Sequence, residues 1–254
     1  MKNKYSFCIV EPRYDPLILL NIQNIRALYK EHILLYCGKG LKSIFEKKIT
    51  DDNVQIIELE VNNFTTETHS DFFKSLNLWN SIQTDYVVTI QTDGCLCKDS
   101  KYRIEDFLHY DYVGGYAPQR WWKKELDIAN IDEKNYPNMC FNGGFALRNV
   151  SAMKEAIKHF PPMSTQNFKN YNKQTVMENF QEDVYFVCAL HKIGYNIGKD
   201  EHSLNFCTHS HFSKQTFCIH KARSYINKKQ LNDLLEYCPE YKEFLKERGS
   251  LHTQ

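Results

Sequence analysis

Through the first hundred residues, short runs of β-branched and aromatic side chains alternate with segments whose apolar positions recur every three or four residues. That alternation predicts a parallel sheet with crossover helices. A first strand is expected over 5–10. Asp15 as a cap and Pro16 at the first position then open a helix that puts Ile18, Ile22, Ile25 and Tyr29 on one face. A second strand, 32–37, leads through Gly38-Lys39-Gly40 into a short helix. A third, 54–59, precedes a longer helix over about 67–82. The fourth, 86–91, runs directly into Thr92-Asp93-Gly94. Right-handed crossovers place the loops after these strands along one sheet edge, where open α/β sheets bind ligands.

Beyond Gly114 the alternation loosens. Residues 121–139 are aromatic and charged without a period, which predicts a long loop. A strand over 141–148 opens on two glycines, and a helix around 153–159 stops at Pro161 and Pro162. Sequence rich in Asn, Lys and Gln follows to about residue 174. A helix carrying Glu182 and Asp183 ends near Gly194. Short strands are expected around 204–207 and 216–220, then one amphipathic C-terminal helix with Leu231, Leu234, Leu235, Tyr241 and Leu245. With no internal repeat and no boundary signal, residues 1–254 read as a single α/β domain.

Composition narrows this picture. The 254 residues are 42% hydrophobic and 25% charged, an ordinary globular balance. Because 32 Lys and Arg are nearly cancelled by 31 Asp and Glu, no global field exists to hold a polyanion, which disfavours nucleic acid as a partner. The nine cysteines are odd in number and scattered through apolar runs, so reduced thiols in a cytoplasmic compartment are expected. The first apolar run is cut by Glu11 and Pro12, unlike a secretory signal, and no stretch approaches the roughly 20 apolar residues of a membrane span. Nothing in the sequence indicates an oligomeric state.

Four segments offer chemistry. Asp93 ends a buried strand with a glycine behind it, which suits either a divalent cation held against a phosphate or a simple turn cap. Asn142, Gly143 and Gly144 allow close backbone approach and amide contacts to hydroxyls, or form only a turn. Glu182 and Asp183 are paired carboxylates at the start of a helix, where the helix dipole alone would favour them. His220 and Lys221 close a late strand, and a lone histidine there can be structural.

In this order on an α/β chain, the segments resemble glycosyltransferases of the GT-A fold, and most closely a poorly characterised glycosyltransferase-like family of unknown function. The blocks that carry the resemblance are Val10-Glu11-Pro12-Arg13, an aromatic-rich helix with Trp79, Gln91-Thr92-Asp93 and Asp111-Tyr112-Val113-Gly114. Then come Asn142-Gly143-Gly144-Phe145-Ala146-Leu147-Arg148, Glu182-Asp183-Val184-Tyr185-Phe186 and His220-Lys221. Together they span about residues 5–222.

The resemblance implies a single GT-A-like (Rossmann-like) domain with a mixed central sheet flanked by helices. The nucleotide-sugar half would be about 1–115, the acceptor half about 116–222 and the C-terminal helix 223–254. It implies transfer of a sugar from a nucleotide-sugar donor, a UDP-sugar by preference, to a glycan or other hydroxyl acceptor. Mn²⁺ or Mg²⁺ would be held by Asp93 and His220, with Gln91 standing where the general motif has its first acid. Val10, Glu11, Arg13, Gln91, Thr92 and Lys221 would contact the donor, with Arg223 as a further point charge. Asp183, in preference to Glu182, would be the general base of an inverting displacement. Asn142, Gly143, Gly144, Trp121 and Trp122 would line the acceptor or sugar side.

Three rivals are distinguishable. A dinucleotide enzyme would use Gly38-Lys39-Gly40, which lacks the third glycine of the fingerprint and follows the second strand. A structural zinc site would draw on Cys95 and Cys97, or on His202, Cys207, His209 and His211, whose spacings lack paired clusters. A catalytically degenerate sugar- or nucleotide-binding protein is the third, suggested by Gln91.

Overall fold

The computed structural model describes residues 4–132, 134, 136, 138–163 and 176–249. The Asn-, Lys- and Gln-rich stretch lies mostly outside them. A six-stranded sheet runs in the order β3-β2-β1-β4-β7-β6. β1 (Tyr5–Glu11), β2 (Ile33–Cys37), β3 (Val54–Glu58) and β4 (Tyr86–Ile90) are mutually parallel, as the alternating pattern predicts. On the other side β7 (Asn142–Asn149) runs antiparallel to β4, and β6 (Tyr112–Gly115) pairs antiparallel with β7, making the sheet mixed. A second sheet, β5 (Gly94–Leu96), β9 (Cys218–His220) and β8 (Cys207–Thr208), stands beside it in the order β5-β9-β8.

All seven residues of β1 are buried, which a central strand covered on both faces requires. Its alternating side chains feed two cores. Cys8 and Val10 join Leu34 and Tyr36 under Phe73, Trp79, Met153 and Tyr185. Phe7 and Ile9 join Ile33 and Leu35 under Ile18, Ile22, Ile25 and Phe45. The first face is covered from α3 (Thr66–Phe73), α4 (Leu76–Ser81), α6 (Val150–His159) and α7 (Glu182–Lys192), the second from α1 (Leu17–Arg26) and α2 (Lys42–Lys48). α1 starts at Leu17 with Pro16, not Asp15, in the cap position, and Asp15 Oδ1 accepts from Leu17 N at 2.9 Å in the turn just before it.

Several elements differ from expectation. The helix expected over 67–82 is two, because Ser75 restarts the chain by accepting from Asn77 N. The region expected as a loop carries α5 (Lys123–Ile128) after a 3₁₀ turn at Gln119–Trp121. The C-terminal helix is also two, α8 (Lys228–Tyr237) and α9 (Glu240–Glu247), broken at Cys238 and Pro239. Their apolar faces, with Leu231, Leu234, Tyr241, Phe244 and Leu245, pack on Leu17, Cys95, Cys97 and Ile219 in a third core.

Candidate functional site

Strand register builds the site. β4 ends at Ile90, opposite Phe145 of β7, and Gln91 N donates to Gly144 O at 2.7 Å. The chain then turns, Gly94 N bonding Gln91 O, and starts β5 with Gly94 paired opposite His220 of β9. Asp93, one residue earlier, is thereby brought to His220: Asp93 Oδ1 lies 3.0 Å from His220 Nε2. Two cations face the other carboxylate oxygen, Arg248 Nη1 at 3.4 Å and Lys221 Nζ at 3.7 Å. Burial works to raise the Asp93 pKa, but the hydrogen bond and charge of His220, with Lys221 and Arg248, hold it well below the usual carboxylate range.

Asp93, Lys221 and Arg248 form one wall of a cavity of about 340 Å³, at the strand-end edge where ligands of such sheets bind. Of the residues expected to contact a donor, Val10, Glu11, Arg13, Gln91, Thr92 and Lys221 all line it. Glu11 holds Arg13 through both carboxylate oxygens, at 2.8 and 2.9 Å. Thr65 and Thr66 at the start of α3, His69, and Arg248 at the end of α9 also line it, and none of these was singled out from sequence. Arg223 is not among the lining residues.

The paired glycines lie between this wall and the acidic pair Glu182 and Asp183, which do not themselves line the cavity. A Cβ on Gly144 would sit 2.1 Å from His220 Cε1, and one on Gly143 would sit 2.5 Å from Glu182 Oε1 and 3.0 Å from Asp183 Cβ. Only bare backbone lets β7 pass between them. Glu182 is buried and gripped by the fully buried Arg148 at 2.7 and 3.1 Å, so it fastens the start of α7 to β7. Asp183, partly exposed, accepts from Gly143 N at 3.3 Å and Val184 N at 2.8 Å. Burial and then the adjacent Glu182 carboxylate push Asp183 up to about 7, against the lowering pull of those N–H groups and of Arg148.

Asn142 turns its side chain to Gly144 N at 3.0 Å. Trp121, 41% exposed, packs 5.3 Å from the ring of the equally open Tyr225. Tyr225 lies 4.4 Å from His209, whose ring stacks on His220. Trp122 instead packs against the core on the α6–α7 face. Burial and then the charge of His220 drive His209 down to about 3.

The residues expected to hold a metal do meet, yet their donor set does not fit one. His220 Nε2 points at two acceptors, Asp93 Oδ1 and Gln91 Oε1 at 3.2 Å. His220 Nδ1 is buried without a hydrogen-bond partner, whereas a metal-bound imidazole normally donates its second N–H to an acceptor. The second Asp93 oxygen already faces two cations, and Gln91 supplies no charge. Among the described residues no three His, Cys, Asp or Glu side chains gather to hold a metal ion, and that includes the cysteines and histidines of the zinc alternative.

A family model described as "Protein of unknown function (DUF5672)" matches residues 53–224. No curated protein matches. A crystal structure of the galactosyltransferase LgtC, in complex with donor and acceptor sugar analogs, aligns with a TM-score of 0.50 at 10% identity. The alignment covers 96% of this chain and 95% of that one. The likeness establishes a GT-A-like fold, the mixed sheet flanked by helices. No helix among the described residues is long and apolar enough to cross a membrane.

Proposed function

Because this chain belongs to the DUF5672 family, whose description names no activity, we propose its function from its own site: transfer of a sugar from a nucleotide-sugar donor, UDP-linked by preference, to a glycan or other hydroxyl acceptor. One observation carries this reading. Gly143 and Gly144 separate an ionised acid among cations, suited to a phosphate-bearing donor, from an acid with a raised pKa, suited to taking a proton. The GT-A-like fold supports it, and residues 1–254 are taken as one catalytic unit.

In the proposed reaction Asp183 accepts the proton of the acceptor hydroxyl as its oxygen attacks the anomeric carbon. The bond from that carbon to the diphosphate oxygen breaks, and its electron pair leaves with the nucleoside diphosphate. The single displacement inverts the anomeric centre. Arg148 acts as a positioning residue, because its grip on Glu182 sets the start of α7 and hence Asp183 against Gly143. Val10, Glu11, Arg13, Gln91 and Thr92 line the donor side, Asn142 and the two glycines the sugar, and Trp121, with Tyr225, an aromatic face for an acceptor ring.

The test is release of nucleoside diphosphate from UDP-, GDP-, ADP- and CDP-sugars presented with simple sugar acceptors. Asp183→Asn should lower turnover about 10²–10⁴-fold, the usual worth of a general base, while donor binding stays within about threefold, far below tenfold per 1.4 kcal/mol. Donor binding without any turnover in the native chain would favour the degenerate binding protein that Gln91 suggests. Native turnover in Asp183→Asn would refute the choice of base.

A further inference from the structure

We propose that side-chain cations, Lys221 and Arg248, neutralise the donor diphosphate in place of a divalent metal ion. This inference rests on the reading of the cavity as a nucleotide-sugar site. The leaving nucleoside diphosphate gains negative charge as its bond to the anomeric carbon breaks, and some positive charge must meet it in the transition state. In this cavity the positive charges are built into the chain. Lys221 Nζ and Arg248 Nη1 converge on Asp93 Oδ2, 3.7 and 3.4 Å away, and Arg248 Nη2 donates to Thr92 Oγ1 at 3.2 Å. Both side chains keep solvent access, 47% and 38%, so an anion can reach them without dismantling a buried pair.

Asp93 then has a different task from metal ligation. With one oxygen on His220 and the other on the two cations, it orients them toward the cavity as an anionic hub. His220 shares its Nε2 proton between Asp93 and Gln91, and the amide at position 91 suits this arrangement, since Gln91 Oε1 accepts without adding a second negative charge. The backbone agrees. Lys221 has φ of +50°, one of two non-glycine residues in the left-handed region among those described, a strained conformation of the kind kept where a side chain must be aimed. Across the cavity, Arg13 is held by Glu11, and burial lowers the pKa of His69, which keeps that imidazole neutral.

Arg248 also extends the site beyond the segment matched by the family model, which ends at residue 224. It caps α9, whose Tyr241, Phe244 and Leu245 are buried in the third core. The final helix pair therefore supplies half of the anion clamp.

The experiment is binding of UDP, GDP, ADP and CDP to the full chain, each in EDTA and in Mn²⁺, by calorimetry with thermal shift alongside. At least one nucleotide should bind in EDTA within about threefold of its affinity in Mn²⁺, a difference well under 1.4 kcal/mol. Lys221→Ala and Arg248→Ala should each weaken it about tenfold, and both together more, with Lys221→Arg and Arg248→Lys recovering most of the loss. Ligand-free melting temperatures identify any variant that merely misfolds, and Arg248→Gln then replaces the alanine. Strict dependence on Mn²⁺, or EDTA-resistant binding indifferent to both cations, overturns the clamp and leaves the transferase reading standing. If no nucleotide binds under either condition, the donor-site reading fails and the clamp with it.

Discussion

Asp93 and Asp183 sit on opposite sides of the same two glycines and have opposite electrostatic fates. Asp93 is nearly as buried as the core, yet it stays ionised because His220, Lys221 and Arg248 surround it. Asp183 has its pKa raised to about 7, first because its carboxyl is desolvated and then because the adjacent charge is the Glu182 carboxylate, while the Arg148 guanidinium beside it is committed to Glu182. Burial alone does not decide the protonation state of either. Burial raises both pKa values, and the sign of the neighbouring charges separates them: cations from β9 and α9 overcome it at Asp93, whereas the Glu182 carboxylate of α7 adds to it at Asp183, beside Arg148 of β7. Under the proposed transferase reading, such divergence between two nearby carboxylates would separate a charge-organising group from a proton-transferring one.

Breaking the Arg148–Glu182 pair should have the largest effect on stability. Arg148→Ala strands a buried carboxylate and opens space among the Phe73 and Tyr112 rings that flank the guanidinium at 5.0 and 5.2 Å. A loss of about 3–5 kcal/mol is expected in chemical denaturation. Arg148→Met combined with Glu182→Leu should recover most of it. Because Arg148 also lowers the pKa of Asp183, the surviving fraction should show a turnover profile displaced to higher pH, a change that packing damage alone would not cause.

Gly144→Ala attacks the other aspartate and should cost less. The new Cβ would fall 2.1–2.2 Å from His220 ring atoms, so the imidazole must swing away from Asp93. Overpacking of this kind costs about 1–3 kcal/mol. The more telling consequence is selective: nucleotide affinity should fall by about tenfold, the equivalent of 1.4 kcal/mol, while Asp183 keeps its hydrogen bond to Gly143 N. Unchanged nucleotide affinity in a folded Gly144→Ala protein would detach the Asp93 wall from donor binding.

The contrast between the two aspartates was only partly legible in the sequence. β1, β2 and β4 are apolar runs buried almost throughout, and β3, only half-buried at the sheet edge, still carries Val54, Ile56 and Ile57, so all four stand out and the strand that delivers Asp93 can be placed within a residue. Gly143-Gly144 and Glu182-Asp183 stand out as local combinations. The meeting of Asp93 with His220 depends on β5 pairing with β9, two three-residue strands too short to display a period. β6 is obscured for the same reason, being four residues with two glycines. Arg248 is one basic residue on a lysine-rich helix surface, and only the packing of α9 against Cys95, Cys97 and Ile219 shows which one enters the cavity. Glu182 and Asp183 look alike until Arg148 is seen to occupy the first and leave the second.

The smallest expected effect is also the sharpest test of the contrast, because the two aspartates should impose different pH dependences on stability. Asp183 has a folded-state pKa raised from 3.8 to about 7. Between those values the folded chain holds a proton that the unfolded chain has lost, so this group makes stability fall as pH rises from about 4 through about 7 and level off above. Asp183→Asn removes the term, and its stability relative to the native chain should climb over that window. A gain on the order of 1 kcal/mol at pH 8 is expected, because the partial exposure of Asp183 screens much of the nominal shift. Asp93 has a depressed pKa, so its contribution is complete above the ordinary aspartate range and disappears only in acid. Asp93→Asn should therefore be destabilised by a constant amount between pH 5 and 8. Parallel lines for both variants in urea titrations across that range would show that the two carboxylates share one environment. A rising line for one and a flat line for the other would establish that the paired glycines divide the site electrostatically.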